Sequence, residues 1–291
     1  MVTLASELVS TEEPPRRLSR RWRYSLRLWI PLTGLVLMLA ACFLAPLVLH
    51  IDPPNGGLLT QAWLPPFSAG HLLGTDGLGN DVLSRCLYGG RVSFEVGFSS
   101  IGLGLIVGGT LGMVAGIKRG IVDVVIMRVL DIILAFPSLV LAMAVASYLG
   151  PNERDVIFAI AFFTIPAFAR LARANTLRIR NQLFVVASRL SGQKDRRIIS
   201  GHVVPHVLPR LLTFGLLTVG IAMIIEAALD FLGVGVRPPQ PSWGAMMAAG
   251  QPNLSNAPWI LFAPACFLFL TVVCINLLGD ELRARWEDPE R

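Results

Sequence analysis

Three clusters have residue types and spacings that could carry chemistry. His202 and His206 stand four residues apart, as two zinc ligands on one helix face would. A zinc-protease helix also needs Glu directly after its first His. Here Val203 follows His202, and Pro205 intervenes before His206. Ser191-Gly192-Gln193-Lys194 fits the SxxK pattern, in which a lysine assists a serine nucleophile, but its companion motifs are missing. A phosphate-binding loop needs GxxxxGK[ST] so that its lysine reaches the phosphates. The two lysines, Lys118 and Lys194, follow Ile117 and Gln193, so any ATP that drives this protein binds elsewhere. Cys42, Cys86, Cys266 and Cys274 form no CxxC pair and support neither a zinc site nor a disulfide framework. No catalytic, cofactor or metal set emerges, and the chain reads as a non-enzyme.

Two further patterns concern helices. Glu226 and Asp230, four apart, share a face near the end of an apolar run. Acids in such a place are costly and mark a pathway or gate, unless they sit at the water interface or pair with Arg237 or Arg128. Gly104, Gly108, Gly112 and Gly116 also recur every four residues, which aligns them on one helix face. Without side chains there, a second backbone can approach closely, either as ordinary tight packing or as a face that slides.

The elements that must position these residues follow from composition. The chain has 291 residues, 54% hydrophobic and only 15% charged, against about 25% charged in soluble domains. That excludes disorder and an ordinary cytosolic domain. Leu28 to Leu49 and Val96 to Ile117 are each 22 residues without a charge, and Ala257 to Gly279 is 23. Each can span a membrane as a helix, which takes about 20 residues. Ile121 to Tyr148, Val156 to Ala169 and Leu211 to Leu232 are weaker candidates, interrupted by charge, proline or shortness. The fold class expected is therefore all-α, an integral membrane bundle of six helices. With both termini cytoplasmic, twenty Lys and Arg fall on the inner side and four, Arg85, Arg91, Arg154 and Arg237, on the outer. That asymmetry fixes the orientation. It also accounts for the net charge of +6 without nucleic acid, since no aromatic platform interleaves with the basic residues.

The ends and the inner loop complete the outline. The basic tail before Leu28 is expected to lie as an amphipathic segment on anionic membrane lipid. Leu39-Ala40-Ala41-Cys42 resembles a lipoprotein cleavage box, but the apolar run continues past Cys42 beyond a signal peptide's length. The run is thus expected to be an uncleaved first span. Arg170 to Arg210 is too charged to lie in lipid. Phe184 to Ser191 carries an apolar helical face, and Gly192 can end that helix in a left-handed turn. Asp195 is placed to cap a second short helix holding Ile198, Ile199 and Val203 before Pro205 and Pro209. Such a pair either docks a soluble partner or lies on the lipid surface.

Phe184-Val185-Val186-Ala187-Ser188-Arg189, followed by Gly192, Asp195, Arg197, His202 and Pro205, resembles the EAA loop of ABC importer permeases. The stretch from Leu73 to Arg85 is similar to the GTDxxGRDVLSR pattern of the C-type permeases in the oligopeptide/dipeptide family. Phe231 to Val236 with Pro238-Pro239 and Pro241-Ser242-Trp243-Gly244 is similar to that family's FLGLGV…PP.PSWG segment. Leu278-Gly279-Asp280, Leu282-Arg283 and Asp288-Pro289 resemble its end. The likeness departs at Val186, where the motif has glutamate, at Ser188 for alanine, at His206 for asparagine and at Asp230 for a small polar residue.

The resemblance implies a multi-pass permease of the bacterial inner membrane that binds no cofactor. A second homologous permease would complete the path for a peptide substrate. Two cytoplasmic ATPases would bind the loop through Ala187, Gly192, Asp195, Arg197, His202 and Pro205, and an extracytoplasmic binding protein would meet the segments 52–91 and 238–256. The parts are then a tail 1–27, a first helix with its external segment 28–94, a permease domain 95–280 containing the loop 170–210, and a tail 281–291. The alternative is a secondary transporter or channel that works without an ATPase. It would be expected to show paired repeats and midplane charges that the chain does not clearly have.

Overall fold

The structure is a computed structural model, described here for residues 18–48, 53–150 and 152–287. No strand occurs among the described residues, which form eleven α-helices. α1 (Leu18–Phe43) carries Pro31 within it and is followed after one residue by the single turn α2 (Ala45–Val48). The rest are α3 (Val82–Lys118), α4 (Gly120–Leu134), α5 (Ser138–Leu149), α6 (Glu153–Ile179), α7 (Leu183–Leu190), α8 (Asp195–Ile198), α9 (Val204–Phe231), α10 (Trp243–Gly250) and α11 (Trp259–Glu287).

Local chemistry sets several boundaries. α3 starts where Asp81 accepts a hydrogen bond from the Ser84 amide at 2.7 Å. It ends at Arg119, whose φ of 55° breaks the helix before α4. α6 opens with Glu153 and Asp155, whose charge suits a helix N-terminus. α10 is capped by Ser242, which accepts from the Ala245 amide at 3.1 Å.

Four helices, within Val82–Lys118, Glu153–Ile179, Asp195–Phe231 and Trp259–Arg285, are long and apolar enough to cross a membrane. The expected single span from Ile121 to Tyr148 is instead the pair α4 and α5, bent by 89°. Pro137 causes the break, because its ring bars the residue before it from helical geometry. Counted together, that pair would make a fifth span, and the apolar part of α1, Arg27–Phe43, is shorter. Among the described residues, length and composition therefore qualify four helices as spans, or five with the bent pair, against the six expected. The N-terminal tail 1–17 and residues 288–291 lie outside the described residues, and so does the end of the first expected span at Leu49. Helix α1 begins inside the expected tail, and α11 continues through most of the expected C-terminal one.

The second helix of the inner loop differs most from expectation. α8 passes through a π-turn at Ile199–Val203 directly into α9, giving one run from Asp195 to Phe231. Pro205 follows the π-turn as the second residue of α9, and the run continues through it. Asp195 is the first residue of α8, with Lys194 in the cap position and no side-chain cap bond.

The core lies where α3, α6 and α9 meet. Phe94, Ile160, Phe168, Leu211 and Met223 are fully buried there, and the rings of Phe168 and Phe214 meet edge to face at 5.2 Å. Lipid tails are as apolar as these side chains, so close packing rather than water exclusion must hold such helices together.

Candidate functional site

The inner loop is built as two limbs. Gly192 has φ of 78° and open space where a Cβ would stand, so it makes the left-handed turn expected of it. Its amide donates to Arg189 O at 3.0 Å, and the Gln193 amide donates to Ser188 O at 3.2 Å, closing the end of α7. Val185, Ile198, Val203 and Val207 are buried and anchor the two limbs to the bundle. Ser188 Oγ donates to Phe184 O at 2.9 Å and lies 3.0 Å from His202 Nε2 on the other limb. Phe184 packs on both His202 and His206, with ring centroids 5.8 and 5.4 Å away. His206 Nδ1 lies 2.7 Å from His202 O, so the imidazoles serve packing and hydrogen bonding.

Of the residues assigned to coupling, Ala187, Gly192, Asp195, Arg197 and Pro205 are exposed, and His202 is half-buried beneath α7. Asp195 sits 3.7 Å from Arg189, an exposed pair of the kind that contributes little. The outer face of α7 is apolar: Leu183 and Leu190 are 86% and 84% exposed, and Val186 is exposed between them.

The glycine row packs within the chain, against α6. A Cβ on Gly104 would strike Thr164 Oγ1, one on Gly108 the Ile165 carbonyl oxygen, and one on Gly112 the Ala169 carbonyl oxygen. On Gly116 it would stand 2.8 Å from Thr176. At the inner end of this seam Arg180 donates to the carbonyls of Gly116 and Ile117 at 3.1 and 3.2 Å, capping α3. Burial and the nearby Arg119 and Arg189 lower its pKa from the usual arginine value.

The charges that weakened the third expected span belong to the same region. Asp123 on α4 receives two hydrogen bonds from Arg173 on α6, at 2.5 and 2.7 Å, and Asp131 receives one from Arg170 at 2.6 Å. These pairs join α4 to α6. Each charge stands out in the sequence, but its partner is 39 or 50 residues away, beyond any local pattern.

Glu226 and Asp230 are buried, and neither meets Arg237 or Arg128 among the hydrogen bonds and ion pairs of the described residues. Ser93 Oγ donates to Glu226 Oε1 at 3.3 Å, while Oε2 of Glu226 accepts no hydrogen bond within normal distance among the described residues. Asp230 accepts from the Val236 amide at 2.7 Å and from Ser242 Oγ. It thereby ties the turn after α9 to the start of α10. Gly235 is needed beside it, because a Cβ there would collide with the Asp230 carboxylate.

The segment before α3 is similarly closed on itself. Thr75 is fully buried, donating to Gln61 O at 2.5 Å and accepting from the Leu64 amide at 2.8 Å. Asp76 accepts from the amides of Leu78 and Asn80, and His71 Nδ1 lies 3.0 Å from Asp81. Trp259 Nε1 donates to Thr75 O and Trp243 Nε1 to Cys86 O, so two distant tryptophans lock this end of the bundle. The sequence reading assigned neither tryptophan a role.

Comparison with known proteins places this geometry. Residues 108–288 match the family described as binding-protein-dependent transport system inner membrane component. The glutathione transport system permease protein GsiD of Pectobacterium atrosepticum is 38% identical over 265 residues, covering 90% of this chain and 88% of that protein. The di/tripeptide transport system permease protein DppC of Pseudomonas aeruginosa is 41% identical over 259 residues, covering 87% and 86%. Among solved structures, the inward-facing MetNI methionine ABC transporter contains a chain of similar fold, with a TM-score of 0.58 and 18% identity over 69% of this chain and 95% of that one.

Proposed function

Because this chain belongs to the binding-protein-dependent inner membrane components, the permease subunits of ABC importers, we propose that it forms half of an uptake path for short peptides. It is a multi-pass inner-membrane protein and a transport subunit, not an enzyme. The family works with ATPase subunits, a partner permease and a substrate-binding protein. The cargo reading rests on relatives near 40% identity that are named for di/tripeptide and glutathione transport.

The observation that carries the mechanism is the exposed apolar face of α7, Leu183, Val186 and Leu190, on an otherwise charged loop. A soluble ATPase would cover it, two such subunits serving this chain and a homologous partner. Binding of ATP would draw the ATPases together and pull on α7. The Ser188–His202 contact and the continuous run into α9 would pass that pull to the helices that open and close the path. Gly192 makes the bend between the limbs, while Asp195, Arg197 and Pro205 present their surfaces beside it. The external segment 53–81 and the loop around α10, both closed by internal hydrogen bonds, offer firm ground for a binding protein.

The test is reconstitution of the chain with the subunits that copurify with it. Peptide uptake that needs ATP, the binding protein and intact ATPase sites is the expected result. Uptake by this chain alone in liposomes would overturn the reading.

A further inference from the structure

Where α3 and α6 begin, at the far end of the bundle from the α7–α8 loop, a cavity of about 490 Å³ holds charges of both signs. Its size falls among small-ligand sites, which run from about 300 to 1,000 Å³. Glu95 on α3 and Glu153, the first residue of α6, form its acidic side. The two carboxyls come within hydrogen-bonding reach of each other. Gln240 Nε2 donates to Glu153 Oε2 at 3.2 Å. Glu153 Oε1 is shut off from bulk water and finds no amide, hydroxyl or guanidinium donor among the described residues. Like charges this close repel unless a proton or a cation lies between them. Arg91 and Arg237 form the basic side. Arg91 is fixed: its Nε donates to Cys42 O at 2.7 Å, its Nη2 to Phe43 O at 3.3 Å, and its guanidinium lies 4.7 Å over the Tyr88 ring. Arg237 makes no hydrogen bond or ion pair among the described residues. It follows Val236, whose amide Asp230 holds, so its backbone is steadied while its guanidinium stands without a partner. No ion pair joins the two signs across the cavity among the described residues.

We infer that this cavity is a subsite for the two charged termini of a short peptide, its α-ammonium between Glu95 and Glu153 and its carboxylate on Arg237. An ammonium supplies the N–H donor that Glu153 Oε1 lacks and the positive charge that two adjoining carboxylates call for. Arg237 can take a carboxylate through two parallel N–H bonds. Arg91, with donors already given to two carbonyls, adds charge rather than a clamp. The assignment rests on the peptide-uptake reading above, and adds that this chain itself recognises both free termini. A phosphoethanolamine headgroup pairs the same ammonium with a phosphate, and a divalent cation would also bridge two carboxylates. Both therefore enter the test as competitors.

The full-length chain, purified with its copurifying subunits but without a binding protein, is placed in phosphatidylcholine nanodiscs. Saturation-transfer NMR then reads the binding of dialanine, N-acetyl-dialanine and dialanine amide. Dialanine is expected to bind at least tenfold more tightly than either blocked form. Glu95→Gln/Glu153→Gln should weaken dialanine at least tenfold and leave N-acetyl-dialanine unchanged. Arg237→Gln should weaken dialanine likewise and leave the amide unchanged. The comparison of free with blocked peptides needs no variant, so it decides even where a substituted chain fails to assemble. Failure of dialanine to bind, equal binding of free and blocked peptides, or indifference to the substitutions would overturn the inference. So would displacement of dialanine by an equal concentration of glycerophosphoethanolamine or calcium chloride. Peptide uptake that persists while binding ignores both termini sinks the subsite alone, whereas a complex that takes up no peptide sinks the transport reading.

Discussion

Ser188 Oγ on α7 lies 3.0 Å from His202 Nε2 on the π-turn, so the two limbs of the inner loop are joined by a direct side-chain bond. The hydroxyl hydrogen is engaged by Phe184 O, which leaves the oxygen to accept from the imidazole N–H. The alanine of the EAA pattern that this loop resembles could not make such a bond.

Ser188→Ala is expected to remove about 1 kcal/mol of limb-to-limb interaction, the ordinary net value of such a hydrogen bond. His202→Ala should cost more, because it also removes the ring packed on Phe184. The measurement is peptide uptake per ATP hydrolysed in proteoliposomes holding the full complex. Ser188→Ala should lower that ratio by roughly two- to fivefold and His202→Ala by more. An unchanged ratio in both would show that force does not cross this bond.

Two glycines predict opposite kinds of damage. At Gly192 a methyl group meets nothing within 4 Å, so Gly192→Ala costs only the left-handed backbone, about 1 kcal/mol. At Gly112 a methyl group lands on the Ala169 carbonyl and within 2.8 Å of the Ala172 methyl, so Gly112→Ala must open the α3–α6 seam. Overpacking of that kind costs about 1–3 kcal/mol and is felt along the row. The Tm of the purified complex is expected to fall further for Gly112→Ala than for Gly192→Ala, and the reverse order would contradict the seam.

Asp230 holds the Val236 amide and the Ser242 hydroxyl at once. Asp230→Ala leaves a buried N–H without an acceptor, at about 1–3 kcal/mol. Asp230→Asn keeps one acceptor oxygen and should be milder. Hydrogen exchange at the Val236 amide reads this directly: about tenfold faster in the alanine variant, matching roughly 1.4 kcal/mol, and less in the asparagine variant. Exchange at the wild-type rate in both would remove Asp230 from the turn.

How much of this was legible in the sequence depended on the range of each interaction. The glycine row, the left-handed turn at Gly192 and the helical segments follow from local spacing, and the structure contains them. The break at Pro137 was also a local signal, but the length of the apolar run outweighed it. Pro205 does not bound the second limb as its residue type suggests, because the run continues from the π-turn through it. Glu226, Asp230 and Asp123 were conspicuous, yet their partners Ser93, Ser242 and Arg173 lie on other elements. Only folding brings those together, and of the alternatives open for Glu226 and Asp230, pairing with Arg237 or Arg128 does not occur among the described residues.

The run from Asp195 to Phe231 is 37 residues, a rod about 55 Å long. Its irregularities, the π-turn at Ile199–Val203 with Pro205 close behind it and Pro209, all lie in its first half. Beyond them it has no joint until Asp230, which grips the turn leading to α10. That uninterrupted stretch is stiff along its axis, so a displacement that reaches it would be carried on to Asp230. A ligand that immobilises the turn after α9 would then be felt as resistance at the loop between α7 and α8.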